Sequence, residues 1–471
     1  MLKLNFLSVN LLSLNGSNTM SRLIPFILVV FLTVAATSPV AQTGGGRNST
    51  IGPARSGELV FVPVKIDGPK HDPANHTFWF GPFAECSSVL DINGDGKLDI
   101  AAGRNYYIAP NWTKYSNYRD GAATNGPDVD DNFEGTMDVN NDGRMDVISS
   151  GWMLKQGIYW YENPGKLGAK WKSHAIHEAT GVEGLVIGNL SGKSDKDLLV
   201  NYFARQPGRS LIWMEHINRP PWFKEHKLGP EQVGVSHGGG IGDLNGDGRN
   251  DAITAMGWFE APSRPTEDKW TWHPDWKFQS GGASHPIVAT DATGDGLTDV
   301  FIGSAHQYGL AMYEQKLENG KRTFTERWIE TEFPTFHTIK LADLDGDGKV
   351  EIITGKQILA HNGGDVGGFE PTFLFYYTTH GGDFQRHILS YNHLLPYFTD
   401  HKDGPPPSFV IGTGMKLNAE DMDGDGKKDI IVACRTGLYI FFNKGPSSKK
   451  RGTNYMPARD SYPDNIDWIR R

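Results

Sequence analysis

Six nine-residue segments place side-chain oxygens at positions 1, 3, 5 and 9 of a glycine-bearing loop. They are Asp91/Asn93/Asp95/Asp99, Asp138/Asn140/Asp142/Asp146, Asp243/Asn245/Asp247/Asp251, Asp291/Thr293/Asp295/Asp299, Asp343/Asp345/Asp347/Glu351 and Asp421/Asp423/Asp425/Asp429. A seventh copy, Asn189 to Asp197, is eroded, with Ser191 and Lys193 at ligand positions. Alternate Asp/Asn oxygens on a tight loop are what Ca²⁺ requires, and glycine at position 6 permits the sharp turn. A single copy reads equally well as a metal-free Asp/Gly turn. Six copies predict calcium. An EF-hand is excluded, because it needs a Glu at position 12 and a helix on each side.

The elements that carry these loops are strands. Ile100-Ala-Ala, Val147-Ile, Ala252-Ile-Thr, Val300-Phe-Ile, Ile352-Ile-Thr and Ile430-Ile-Val follow the intact loops, and such β-rich runs signal strands. Aromatic runs come next, at Ile158–Glu162, Leu211–Glu215, Leu310–Glu314 and Leu438–Phe442, and fourth strands are expected at Trp171–His177, Trp222–Leu228 and Phe324–Glu330. Loop positions 1 fall at residues 91, 138, 189, 243, 291, 343 and 421. A period of about 40–50 residues with four strands per unit predicts propeller blades. The fold class is therefore all-β, a seven-bladed propeller. The long last interval predicts an insertion around Tyr391–Pro407. The last repeat lacks a fourth strand, which Leu59–Ile66 would supply, closing the ring and removing exposed edges.

The loop motif resembles the FG-GAP (or VCBS) repeat family, whose members form seven-bladed propellers like the head of integrin α-subunits. The resemblance covers roughly residues 59–445. More loosely, Phe78–Pro82, Asp131–Phe133, Gly151-Trp152, Trp160–Gly165, His237–Gly240 and Ser304–His306 resemble the propeller domain of aldos-2-ulose dehydratases. Those enzymes eliminate water from keto-sugars with the help of bound metal and carry further domains that this chain is too short to contain.

The resemblance implies that the strand before each loop is innermost and runs from the top face down the central channel. The residue six before each loop then lies near the top mouth. That column reads Glu85, Asn132, Glu183, His237, His285, His337 and Met415. Neutral imidazoles beside a carboxylate such as Glu183 suit Zn²⁺, Mn²⁺ or Fe²⁺. The plain alternative is that each His caps a strand end. The turns after the second strands also return to the top. They offer Arg104, Tyr106, Trp152, Arg205, Trp258, Lys356 and Arg435 as partners for a hydroxyl-rich ligand, with blade packing as the alternative role for the tryptophans.

Two readings follow. One is a metal-assisted carbohydrate lyase or dehydratase acting on keto-sugars or glycosides, with His237, His285 and His337 on the metal and His306 or His361 as base. The other is a non-enzymatic carbohydrate- or protein-binding module, in which calcium stiffens a scaffold. A nuclease or phosphatase acting through the Asp loops fits poorly, because an active site should be singular.

Composition narrows the classes further. A net charge of −9 argues against a nucleic-acid partner. Arg22, the apolar run Leu23–Ala36 and small residues up to Ala41 form a secretory signal pattern, with Met20 an alternative start. Secretion or periplasmic export is expected, with a linker over 42–57, the propeller over 58–445, a tail over 446–471 and no membrane span in the mature chain. The expected state is a monomer facing an extracellular ligand. Cys86 and Cys434 would be neighbours in a closed ring, where one disulfide would be possible.

Overall fold

The computed structural model describes residues 58–68, 84–119, 132–151, 156–178, 181–202, 210–230, 233, 238–280, 282–392 and 411–447. The expected signal segment, the linker, most of the tail, and His237, Trp152 and Arg205 lie outside these residues. So does the expected insertion beyond Asn392.

Seven four-stranded antiparallel sheets make up the described chain. Their innermost strands are Ser88–Leu90, Phe133–Met137, Val182–Gly188, Gly239–Gly242, Val288–Thr290, Phe336–Ala342 and Leu417–Glu420, which number blades 1 to 7. Consecutive inner strands are neighbours, and blade 7 adjoins blade 1. Six blades run in sequence order from inside to outside. In blade 7 the outermost strand is instead Leu59–Asp67, paired antiparallel with Gly437–Pro446 through Val62↔Phe442 and Val64↔Ile440. The ring thus closes as the missing fourth strand predicted, and the edge of Gly437–Pro446 is covered.

Burial follows each strand's place in its blade. Second strands are sandwiched between neighbouring blades, so Glu351–Lys356 and Asp429–Cys434 are buried at every position. Outer strands face water and are mostly exposed, as in Thr113–Ser116 and Phe223–Lys227. The core consists of layers between blades; Ile148 and Ile158 of blade 2 share one with Leu198 and Val200 of blade 3 and Phe259 of blade 4. Blades 2, 3 and 4 repeat one cross-strand set. Trp160, Trp213 and Trp258 stack on His174, His226 and His273 at 4.2, 4.5 and 4.3 Å. Each of these imidazoles is 2.8 Å from a third-strand carboxylate, Glu162, Glu215 or Glu260. Ring stacking with a satisfied polar edge explains these histidines as scaffold. Cys86 and Cys434 are both buried and neither is bridged.

Candidate functional sites on the two faces of the propeller

The acidic loops join the first and second strands of their blades, and their four oxygen positions divide into two kinds. Positions 1, 3 and 5 lie at the surface. Asp243 is typical: Oδ1 accepts from the Gly246 and Asp247 N–H groups at 2.7 and 3.2 Å, and Oδ2 from Gly248 at 2.8 Å. Position 9 is buried and pins the loop. Asp251 accepts from Leu244 N–H and from Ala261 N–H, both at 2.9 Å, joining the loop to the end of the third strand. Burial pushes Asp146, Asp251 and Glu351 up to about 7, and nearby loop carboxylates add to the rise against the backbone donors. Asp343, Asp345 and Asp347 bring three carboxylate oxygens within 4.8 Å of one another, as do Asp421, Asp423 and Asp429. An all-oxygen set carrying several negative charges fits a hard divalent cation.

The intact loops differ in the residues that carry their oxygens. Among the described residues, only the loops of blades 6 and 7 gather three carboxylates so closely. In every intact loop, blades 6 and 7 included, the position-5 carboxylate accepts from the backbone N–H two residues on. Asn93 of blade 1 accepts from Asp95 N–H at 3.0 Å, and its amide donates to the Asp95 carboxylate at 3.2 Å. Asp142 of blade 2 accepts from Arg144 N–H at 3.0 Å and is ion-paired with the Arg144 guanidinium, as Asp247 is with Arg249 and Asp425 with Lys427. In blade 5, Thr293 brings a neutral hydroxyl in place of a carboxylate or amide, directed to Asp291 at 3.5 Å, while its N–H reaches Asp299 at 3.3 Å. Asp295 of the same loop accepts from Leu297 N–H at 2.9 Å.

Blade 3 keeps the pin and loses the rest. Asp197 still accepts from Leu190, Ser191 and His216 N–H at 3.0, 2.7 and 2.9 Å. Lys193, at position 5, extends its ammonium to Glu215 at 2.9 Å. In blades 2 and 4 the corresponding Glu162 and Glu260 accept instead from the position-3 amides of Asn140 and Asn245.

The described residues of the top column are all buried. Glu85 binds Arg435 at 2.7 Å and accepts from Gln357 at 3.0 Å, while the same Gln357 amide reaches the Met415 sulfur at 3.2 Å. Asn132 and Glu183 are buried in the same ring. His285 turns into the channel: its Nε2 lies 3.0 Å from Leu185 O, and Asn201 approaches its Nδ1 at 3.4 Å. Gly184 makes room, since a Cβ there would sit 2.4 Å from His285 Nε2. The His285 ring meets Phe133 of blade 2 at 6.0 Å, and Lys416 of blade 7 lies 5.0 Å over that Phe133 ring. Side chains from blades 2, 5 and 7, which are not neighbours in the ring except across its centre, thus meet one another. His285 and His337 are joined through backbone, His285 N–H to His337 O at 2.8 Å, while their rings point to different neighbours.

His337 instead joins a cluster on the top face between blades 5 and 6. Its ring meets that of His306 edge-on at 5.4 Å, and His306 lies 4.7 Å from His361. Asp365 bridges the last two: Oδ2 is 2.9 Å from His306 Nδ1 and Oδ1 is 2.8 Å from His361 Nδ1. Burial raises the Asp365 pKa, but the hydrogen bonds and charge of the two imidazoles outweigh it and hold the carboxyl well below its usual range. An ionised Asp365 accepts from Nδ1–H on both rings, which sets the basic lone pairs on Nε2. His361 and Asp365 come from the long blade-6 loop after Glu351–Lys356. Leu359 and His361 sit there at φ 51° and 46°, left-handed conformers that non-glycine residues hold only when their surroundings enforce them.

Lys356 supplies much of that enforcement. Its fully buried ammonium donates to Gly367 O, Gly368 O and Glu370 O at 2.6, 3.0 and 2.6 Å. Burial pushes its pKa down to about 7, against the opposing charge of Glu370. Tyr308 from blade 5 closes the far side, donating to Glu370. Two imidazoles and a carboxylate with ligand atoms within 4.8 Å can hold a borderline divalent ion or act as a pair of acid–base groups.

The other predicted top residues face the structure rather than solvent. Tyr106 is fully buried, stacked on Tyr115 at 4.9 Å, with its hydroxyl accepting from Gly168 N–H. Trp258 packs on His273 and donates to Asp275 at 2.8 Å. Arg435 is engaged with Glu85, Lys356 holds a loop, and Arg104 is half-buried. Asp365, the pivot of the cluster, was not among the sequence-based candidates. The signal that points to it is His361-x-x-x-Asp365 within a glycine-rich stretch that has no counterpart in the other blades.

Comparisons with known proteins agree with this architecture. Residues 291–354 match the FG-GAP-like repeat family. No curated protein matches the sequence. Solved structures with similar folds include a lectin from Agrocybe aegerita that recognises non-reducing terminal N-acetylglucosamine (17% identity, TM-score 0.40, covering 71% of this chain and 90% of that one). They also include an auxiliary nutrient binding protein from Bacteroides thetaiotaomicron (7%, 0.41, 82% and 77%). A third is a rhamnogalacturonan lyase from Bacillus licheniformis (14%, 0.41, 84% and 77%). Similarities this distant carry no functional assignment. Among the described residues, no helix is long and apolar enough to cross a membrane.

Proposed function

We propose that this FG-GAP-like propeller is an exported, calcium-stiffened protein whose top face eliminates water or an alcohol from a keto-sugar or glycoside. The observation that carries the proposal is the sharing of one ionised carboxylate, Asp365, between the Nδ1 atoms of His306 and His361. His306 is the more enclosed imidazole, with 19% of its side chain exposed against 50% for His361. Its Nε2 takes the proton α to the substrate carbonyl, and Asp365 stabilises the imidazolium that forms. The electron pair of that C–H bond becomes the new C=C bond as the β C–O bond breaks. His361, entering as the imidazolium, gives its proton to the departing oxygen, so one substrate yields one unsaturated product and one water or alcohol. His337 backs His306 from the buried side. The donor set of His306, His361 and Asp365 also fits Zn²⁺, Mn²⁺ or Fe²⁺; an ion held there would polarise the carbonyl, with the two imidazoles then serving as ligands rather than as acid and base.

Incubation of the purified protein with a panel of keto-sugars and glycosides, read by the ultraviolet absorbance of the unsaturated product, tests the proposal. The expected result is product from at least one substrate, with H306A and D365N both losing it. Metal analysis accompanies the assay: calcium with about one transition metal per chain supports metal assistance. Absence of product from every substrate, with added metals, sinks the enzymatic reading. Turnover-free saccharide binding under those conditions would identify a binding module instead.

A further inference from the structure

We propose that the bottom face carries a second, independent ligand site: a groove at blades 3 and 4 that binds an acidic saccharide. The groove has a cavity volume of 540 Å³, within the range of small-ligand sites. It lies where the calcium repeat fails. Lys193 stands in the eroded loop at a position held by aspartate in every intact copy, and Arg219 and Lys224 line the same groove.

The charges around it do not cancel. Two carboxylates, Glu215 and Glu267, also line the groove. Glu215 already serves Lys193 at 2.9 Å and His226 at 2.8 Å, and its pKa is lowered because these partners outweigh burial. Glu267 is occupied by Arg264 at 2.7 Å. Arg219 and Lys224 have no acidic partner within ion-pair distance among the described residues, and both are exposed. A guanidinium and an ammonium facing one cavity call for an oxyanion, and a planar guanidinium is suited to bidentate capture of one.

The remaining lining points to a hydroxylated ligand rather than a bare anion. Asn218 is oriented from outside the groove: its Oδ1 accepts from Asn141 of blade 2 at 3.2 Å. That bond leaves the Asn218 amide N–H groups as donors. Asn141 is itself held by Lys196 at 2.8 Å, from the same eroded loop. Thr266 adds a hydroxyl and Ile217 a small apolar surface. Two cations, an oriented amide, a hydroxyl and an apolar patch match a one- or two-ring sugar carrying a carboxylate or sulfate. Intact loops at this level present carboxylates; blade 3 presents cations and collects an anion.

Isothermal titration of the full chain with digalacturonic acid, a singly sulfated disaccharide, a neutral disaccharide and an acidic hexapeptide tests the site, in calcium and at two salt concentrations. The expected result is saturable binding of one acidic disaccharide, weakened by salt. The R219A/K224A variant should lower that affinity at least about tenfold. K193A should also weaken it, by releasing Glu215 toward the ligand. The carboxylated and sulfated probes distinguish the two oxyanion sources. Equal binding of the neutral disaccharide, equal or tighter binding of the peptide, no binding of either acidic sugar, or unchanged affinity in R219A/K224A overturns the proposal. Both substituted side chains are exposed, so loss of binding is separable from loss of folding by circular dichroism.

Discussion

Asp197 offers the sharpest test of the division between candidate cation ligands and loop pins, because it sits in the one loop that lacks acids at positions 1, 3 and 5. Its carboxylate accepts three backbone N–H bonds, from Leu190, Ser191 and His216. Hydrogen bonds to a charged group contribute about 1.5–3 kcal/mol each. Burial outweighs these bonds in the balance between charged and neutral carboxyl, so the pKa is raised, and the cost of truncation comes chiefly from three backbone N–H groups left unpaired. The D197A variant should therefore lose about 3 kcal/mol, below the low end of the summed bonds. The loss should be the same in EDTA and in calcium. D243A behaves oppositely. Its oxygens and the N–H groups they serve are at the surface, so water replaces them and the metal-free cost is about 1 kcal/mol or less. In calcium it should lose a binding increment as well, about 2.7 kcal/mol for a site held at 100 times its Kd. Urea unfolding followed by tryptophan fluorescence, with and without calcium, measures both variants. A D197A deficit below about 1 kcal/mol, or one that calcium repairs, would refute the pin.

Three further outcomes follow from the same contacts. Asp365 is held below its usual pKa, so its stabilisation is present above the unfolded value of about 3.9 and is lost as pH falls below it; the stability gap between wild type and D365N in urea titrations should be constant above about pH 5 and shrink below about pH 4. K356M leaves three buried carbonyls without their donor and should cost about 2–4 kcal/mol, with limited proteolysis shifting to the 359–370 loop before the rest of the chain unfolds. Removing residues 1–67 uncovers the edge of Gly437–Pro446 and should give a chain that associates on gel filtration, whereas removing residues 1–57 should not.

What the sequence disclosed, it disclosed through local patterns. Each acidic loop is nine residues long and most strands are short, such as the four residues of Asp99–Ala102, so motif and period can be read without knowing what touches what. The closing strand was legible for a related reason: a blade with three strands has an open edge, and only one unassigned β pattern preceded the first repeat. The differences among the acidic loops were less legible, because a shared spacing hides what each oxygen already binds; Asp142 and Asp347 hold the same position, yet only the first is tied to an arginine two residues on. The top site was hidden because its partners are set by ring adjacency. His306 and His361 belong to different blades and meet only when blades 5 and 6 pack. Asp365 reaches them because Lys356 gathers the carbonyls of residues 367, 368 and 370. The turn of His285 into the channel depends on a missing Cβ at Gly184, two blades away. Column counting placed His285 and His337 at one level, correctly as regards their backbones, but gave no access to the directions of their rings.

The two candidate sites share a logic that the symmetry of the ring makes plain. A feature repeated in blade after blade, such as the position-9 carboxylate or the Trp–His–Glu stack, meets a need every blade has: to hold its loop or cover its outer strand. A ligand makes one demand at one place, so its site should appear where a blade departs from its neighbours. Blade 6 departs on the top, where a loop with strained Leu359 and His361 and a buried lysine at its root carries Asp365 to two imidazoles. Blade 3 departs on the bottom, where Ser191 and Lys193 replace the loop's oxygens and a groove opens beside Arg219 and Lys224. Erosion without consequence would have left blade 3 with a disordered or collapsed loop. Instead Asp197 retains the backbone pin while Lys193 and Lys196 make new polar contacts to Glu215 and to blade 2. A loop that loses its acidic residues at positions 1, 3 and 5 yet remains this well bonded has changed its charge and kept its shape.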